Sequence, residues 1–427
     1  MTQRSGDGDA AAGGSGTSEP AGTSQAQSLL VRRGSTVLVT ALVLVALTLA
    51  SHQLPVPYLI ASPGVSLNTL GEQDGDPIIE IEGRENFQHE DAGLSMVTVQ
   101  YSGGPQHRVS LLAAIGAWVR PSLAVLPEEA VFPPGSTVEE VTETQSLQMD
   151  SSQRLAIAAA LDQLEIPYDE SPLVAEVFPD MPATDELEPG DVIRAVDGAE
   201  VDTQAEVVER VSAREPGDPV EITVVRADGD VDSVEDVDVG EGDRIDLTLD
   251  TVAADDTVEE RPEGTRDEDE GEDTAPDARI GILVESKLEF PFEIDVSVDD
   301  IGGPSAGMMF ALGIMNRLSD EDLTGGHHIA GTGTVQPQLP EDAEDPQDPE
   351  VREWRVGSVS GVAQKMISAE DQGADYFFVA EDSCPQTESS AATDIQVVSV
   401  TSLADAVAAL ETIRTEEDPD GLPSCSD

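Results

Sequence analysis

The chain has 427 residues, of which 87 are Asp or Glu and 21 are Lys or Arg, giving a formal charge of −66 at pH 7. Phosphate-backbone contacts need clustered basic residues, and this composition offers none, so nucleic acid is excluded as a partner. The only lysines are Lys287, after Ser286, and Lys365, after Gln364; no Gly-x-x-x-x-Gly-Lys-Ser/Thr phosphate loop can exist, nor any ATP coupling built on one.

Residues 1–33 are rich in Gly, Ser, Ala and Thr and end in Arg32-Arg33, which reads as a disordered cytoplasmic tail under the positive-inside tendency. Gly34 to Ser51 carries no charge and is dominated by Val, Leu and Ala, long enough to span a bilayer. The expectation is a single transmembrane helix over 34–54 in the cell membrane, with everything after it extracytoplasmic. A cleaved signal peptide, with Thr48-Leu49-Ala50 at the cleavage site, is the alternative.

Residues 55–164 read as an α/β region: a strand from Gly93 to Val99, and a helix from Ala156 to Leu164 led in by Met149 to Gln153. Over 165–245 come Val174-Ala175-Glu176-Val177, Pro182-Ala183 and the run Leu187-Glu188-Pro189-Gly190-Asp191-Val192-Ile193-Arg194-Ala195-Val196-Asp197-Gly198. A helical stretch from Ala205 to Val211 and an alternating strand from Val220 to Val225 follow. The pattern resembles a bacterial PDZ domain, a mainly β fold, and the resemblance implies an extended peptide bound as an added strand. The usual carboxylate-loop glycine is not evident before Leu173. Free C-termini, internal segments and a plain spacer role all stay open.

Residues 246–277, with Arg-Asp-Glu-Asp-Glu-Gly-Glu-Asp, read as a solvated acidic linker. In the following region, 278–415, two windows are dry: Ile301 to Asn316 carries no charge, and Val356 to Ala369 carries only Lys365. A serine becomes a useful nucleophile when a base takes its proton, and a lysine serves only when burial away from carboxylates brings its pKa towards neutrality. Ser305 and Lys365 are therefore the candidate catalytic pair. The bland reading of Gly302-Gly303-Pro304-Ser305 is a turn and cap feeding a buried helix.

Arg279 to Leu410 as a whole resembles the proteolytic domain of Lon-type serine proteases. The resemblance rests on Gly-Pro-Ser-Ala-Gly around Ser305, Ile329-Ala330-Gly331-Thr332-Gly333-Thr334, Gly361-Val362-Ala363-Gln364-Lys365, Gly373 to Val379 and Leu403 to Val407. It implies Ser305 as nucleophile and Lys365 as general base, with backbone N–H groups near Ser305 holding the oxyanion. Thr332 and Thr334 are candidates to orient the lysine or the oxyanion, or merely strand residues. The sequence departs from the family in three places. Gly302 stands where Lon has an acidic residue, with Asp299 and Asp300 nearby; Ser360-Gly361 replaces Gly-Gly; and Pro337 to Arg355 is inserted as an exposed loop.

Residues 55–164 resemble the opening strands and first helix of the same domain, so the PDZ module is expected as an insertion in one α/β (α+β) protease fold. Lon-type relatives also imply a homo-oligomer, often a hexameric ring. Cys384 and Cys425 are free thiols or, in an oxidising space, a disulfide tying down the tail 416–427. His327-His328 reads as structural, because adjacent strand residues point to opposite faces. No cofactor or metal is implied. Two functions emerge: an ATP-independent serine endopeptidase whose PDZ module recruits protein or peptide substrates, and a catalytically silent PDZ adaptor at the membrane. The acidic excess itself suits a high-salt environment, where self-repulsion is screened.

Overall fold

Within one strand, Leu94 and Met96 pack into one apolar core and Val97 into another, the two-residue alternation of a strand covered on both faces. The computed structural model describes residues 23–89, 92–226, 242–253, 278–299, 301–338, 352–392, 394–415 and 421–425, with the side chains of 23–34 outside that description. In chain order come α1 (Thr23–Gln53), β1 (Tyr58–Asn68), the small hairpin β2 (Glu72–Gln73) and β3 (Asp76–Pro77), β4 (Ile79–Glu82), β5 (Gly93–Gly103), α2 (Leu111–Trp118), β6 (Ala124–Pro127) and α3 (Val138–Gln163). Next are β7 (Asp169–Val177), β8 (Val192–Val196), β9 (Ala199–Glu200), α4 (Gln204–Ser212), β10 (Pro219–Arg226), β11 (Asp243–Asp250) and β12 (Val252–Ala253). The last part holds β13 (Ala278–Arg279), β14 (Ile282–Glu289), β15 (Glu293–Val296), α5 (Gly307–Leu318), β16 (His328–Thr332), β17 (Thr334–Gln338), β18 (Glu353–Gly357), α6 (Val362–Asp371), β19 (Tyr376–Ala380), α7 (Cys384–Thr387), β20 (Gln396–Val400) and α8 (Leu403–Thr415).

One mixed sheet runs β20-β19-β16-β5-β1-β6. Its strands are parallel from β20 to β5 and antiparallel at β1 and β6. Phe378 and Ala380 face the core built by α3, α5 and α8, while Phe377 and Val379 face Val362, Met366 and Ala369 of α6. The sheet thus lies between two helical layers, drawing strands from residues 58–127 and again from 328–400. α3 begins far ahead of the apolar pattern that announced it, because Thr137 and Glu140 form a reciprocal capping box that satisfies the first free amides.

A second, antiparallel sheet runs β11-β10-β8-β7-β14, with Val207 and Val211 of α4 packed on its core of Val174, Ile193, Val196, Ile222 and Val224. Its limits differ from the expected 165–245. Ile280 and Val284 are buried in this core, so β14, expected in the 278–415 region, pairs instead with β7 from Ile282↔Val177 to Glu289↔Asp169. The expected linker over 246–277 also shrinks, since the alternation Ile245, Leu247, Leu249 carries β11 on to Asp250, opposite Pro219; residues 254–277 lie outside the described residues.

Three further expectations change. α1 starts at Thr23, so the tail of 1–33 is helical in its last part, and residues 1–22 lie outside the described residues. The apolar stretch within it is Ser35–Gln53. The ends of the supposed loop 337–355 are paired as β17 and β18, with Pro337 opposite Trp354, because Trp354 is buried; residues 339–351 lie outside the described residues.

Candidate functional site

Ser305 stands at the end of a loop that α3 pins from the side. Gly303 N–H donates to the Gln145 carbonyl at 2.9 Å, and Ser152 Oγ donates to the Pro304 carbonyl at 3.1 Å. A Cβ on Gly302 would stand 2.8 Å from Gln145 Cβ, so this packing leaves no space for an acidic side chain at that position. Asp299 is held by Gln73 through its own backbone N–H and carbonyl and does not line the cleft around Ser305; Asp300 lies outside the described residues.

Lys365 is placed by α6, which Gly361 opens in the left-handed region at φ 75. A Cβ there would meet Val99 Cγ2 at 2.6 Å, so conformation and space both require glycine. The preceding position has no such demand and is Ser360, a residue on the cleft wall.

The structure brings the two candidate residues together. Lys365 Nζ donates to Ser305 Oγ at 2.7 Å and to Thr332 Oγ1 at 2.8 Å. Thr332 Oγ1 in turn donates to the Ser305 carbonyl at 3.0 Å, which also accepts from Gly333 N–H at 2.9 Å. Thr334 turns to Gly357 instead. The ammonium form donates across these contacts; the neutral amine keeps a lone pair that can accept the Ser305 proton across the same distance.

Lys365 is only 3% exposed, and burial pushes its ammonium down to about 7, as expected where no carboxylate stabilises the charge. Ser305 precedes the first turn of α5, whose Met308 N–H is taken by the Gly333 carbonyl. The amides of Ser305 and Ala306 make no backbone hydrogen bond among the described residues. They stand at the positive end of the helix dipole, where a developing oxyanion is stabilised.

The cleft has a volume of about 620 Å³, and among the described residues Lys365 and Tyr101 are its only ionisable lining residues; burial raises the Tyr101 phenol, which keeps it neutral. A separate hollow of about 440 Å³ beside Arg317 is lined by no Ser, Thr or Cys among the described residues, so Ser305 and Lys365 make the first the candidate site. His327 faces Asp375 and the Tyr376 ring, whereas His328 Nε2 shares a 2.7 Å hydrogen bond with Ser95 Oγ. The described residues contain no His, Cys, Asp and Glu group able to hold a metal. Cys384 and Cys425 are joined as a disulfide.

Two parts of this arrangement were not foreseen from the sequence. The grip of Gln145 and Ser152 on the serine loop left no signal beyond polar residues on a helix. β14 did leave one, the apolar run Ile280-Gly281-Ile282 directly after the acidic stretch. β14 ends the second sheet, its outer edge carries no strand partner among the described residues, and α4 packs against it.

No curated protein matches the chain. Among solved structures, the PDZ domain of the SdrC-like protein from Listeria monocytogenes is similar at 20% identity, with 28% of this chain and 90% of that chain covered and a TM-score of 0.19. The PDZ domain of the SdrC-like protein from Listeria innocua is similar at 19% identity, with 27% and 92% covered and a TM-score of 0.18. The family model described as PDZ domain matches residues 145–239, from within α3 through β7, β8, α4 and β10. The chain therefore contains a PDZ domain.

Proposed function

We propose that this chain is a membrane-anchored serine endopeptidase that works without ATP, with Ser305 as nucleophile and Lys365 as general base. The observation that carries the reading is the 2.7 Å contact between Lys365 Nζ and Ser305 Oγ in a setting where burial lets a large share of the amine be neutral near pH 7. Neutral Lys365 takes the serine proton as Oγ attacks the scissile carbonyl, and the amides of Ser305 and Ala306 hold the oxyanion. The protonated lysine then gives its proton to the leaving amine, and water, activated by the same nitrogen, hydrolyses the acyl-enzyme. The Lon-type resemblance of Arg279 to Leu410 supports the same roles, and the apolar stretch Ser35–Gln53 supports the anchor; the extracytoplasmic side for the catalytic body follows from Arg32-Arg33 ahead of it under the positive-inside tendency.

The PDZ domain recruits substrate by strand addition at the outer edge of β14, and Gly281 supplies the glycine missing before Leu173. The chain then runs from Glu289 through β15 to Ser305, so the recruiting strand leads directly into the serine loop. The run 254–277, with twelve acidic and two basic residues, starts and ends beside the paired β12 and β13. Repulsion there disfavours a free C-terminal carboxylate and favours internal segments. The test is cleavage of casein and denatured protein by the full-length chain in detergent, without ATP, beside Ser305→Ala and Lys365→Ala. Both variants are expected to lose at least about 1,000-fold in kcat while folded; a folded but inactive wild type contradicts the reading.

A further inference from the structure

We propose that α2 and the residues around it form a second membrane contact, lying in the headgroup layer of the bilayer that α1 crosses. The proposal rests on the reading of α1 as a membrane span. Leu112, Ile115, Trp118 and Val119 are 40%, 48%, 79% and 70% exposed and recur at helical spacing on one face, while Ala114 and Ala117 are buried on the other. Scattered exposed apolar residues need no explanation, but a contiguous stripe ending in tryptophan does.

The position of this stripe identifies its occupant. Leu111 N–H donates to the Leu54 carbonyl at 2.8 Å, and Val56 N–H donates to the Val109 carbonyl at 3.0 Å. Pro55 also bridges Ser110, so α2 is tied to the chain directly where α1 ends at Gln53. Leu54 and Tyr58, at the same exit, are 54% and 42% exposed. Trp and Tyr flanking a span are the usual residues of a membrane–water interface.

Charge gives an independent argument. About one residue in five of this chain is acidic, yet no Asp or Glu occurs from Ala92 to Pro127, while Arg108 and Arg120 do. Arg120 is exposed, and Arg108, although 3.3 Å from Glu128, keeps half its side chain in solvent. In a molecule of charge −66, which an anionic leaflet repels, this stretch adds no acidic side chain to that repulsion. One consequence concerns reach: β1 runs from Tyr58 at the exit to Val65 on the cleft wall, a span of at most about 25 Å. The cleft therefore stays within reach of substrate segments close to the membrane.

The test uses the full-length chain in vesicles of phosphatidylcholine and phosphatidylglycerol carrying brominated acyl chains. Trp354 is 5% exposed and supplies an unquenched background, so Trp118 is read as the difference between wild type and Trp118→Phe. The proposal expects Trp118 emission to fall at least about twofold, more with shallow than with deep bromines. Val43→Trp, placed in α1, reports the span separately and should be quenched most by deep bromines. If Val43→Trp is quenched and Trp118 is not, the second contact is overturned while the span stands; if neither is quenched, both fall. Trp118 shielded from aqueous acrylamide but unquenched by lipid, with Ile115→Cys cross-linking between copies, would instead make the stripe a chain–chain contact.

Discussion

Lys365 is a buried amine with two hydroxyl partners and no acidic partner among the described residues, and such a group is held in place at the expense of stability. Its folded-state value of about 7 lies below the ordinary 10.5, so between these values the folded form binds fewer protons than the unfolded one. Stability from this group therefore rises as pH climbs through that window, and the whole penalty, about 5 kcal/mol by the usual conversion, is present below pH 7. Lys365→Met is expected to abolish cleavage and raise the Tm, with a gain largest below pH 7 that fades towards about pH 10; calorimetry across pH checks it. Thr332 touches both the amine and the Ser305 carbonyl, so Thr332→Val should lower kcat about 10- to 100-fold with little change in KM, measured by steady-state peptide hydrolysis. The Ser305 and Lys365 pairing was legible because two uncharged windows stand out in so acidic a chain. For Thr332 and Thr334 the sequence left two readings open, orienting residues or plain strand residues, and only the hydroxyl of Thr332 lies beside the amine.

At the scale of elements, β14 shows where sequence reasoning stops. Its apolar residues announce a strand, but the choice of β7 as partner is tertiary and crosses the acidic stretch, so periodicity alone could not place it. The reverse holds for the turn before β8, where Glu188-Pro189-Gly190-Asp191 was readable and the structure shows what it does. Arg226 reaches Asp191 with two hydrogen bonds of 2.7 Å and 2.6 Å, and Asp191 is 1% exposed. Arg226→Ala would leave that carboxylate buried and unpaired, at a cost of about 3–5 kcal/mol. Hydrogen exchange should show protection falling in β8 and β10 while β16 and β19 keep theirs. α3 acts across elements as well: its C-terminal Asp162 accepts from Trp354 Nε1 at 2.8 Å and Tyr168 OH at 3.2 Å, and Arg352 links the same cluster to Glu170 of β7. That network ties the second sheet to the β17–β18 hairpin beside the serine loop.

At the scale of the whole molecule, the first sheet takes strands from both sides of the second, so neither half of the chain completes the core alone. A single sequence shows such an arrangement only through its order of elements, since the pairing of β5 with β16 joins residues far apart. The Cys384–Cys425 bridge closes 41 residues of sequence and holds the tail, where Leu422 is buried. In the chain-entropy account such a loop is worth roughly 4 kcal/mol, and Cys425→Ser should lower the Tm accordingly, read by thermal unfolding without reductant. The charge of −66 acts on the site from a distance: at ionic strengths near 0.01 M, where a charge is felt out to about 30 Å before it is screened, the negative field favours the ammonium. The acid limb of activity is then expected to move to higher pH.

The claim that neutral Lys365 activates Ser305 is tested most directly by the rate at which a serine-directed acylating reagent modifies Ser305, followed by peptide mass from about pH 5 to pH 9. The account predicts a rate that rises with a midpoint of about 7 and is lost in Lys365→Met. A rate that is flat over that range, or a label on another serine, would contradict it.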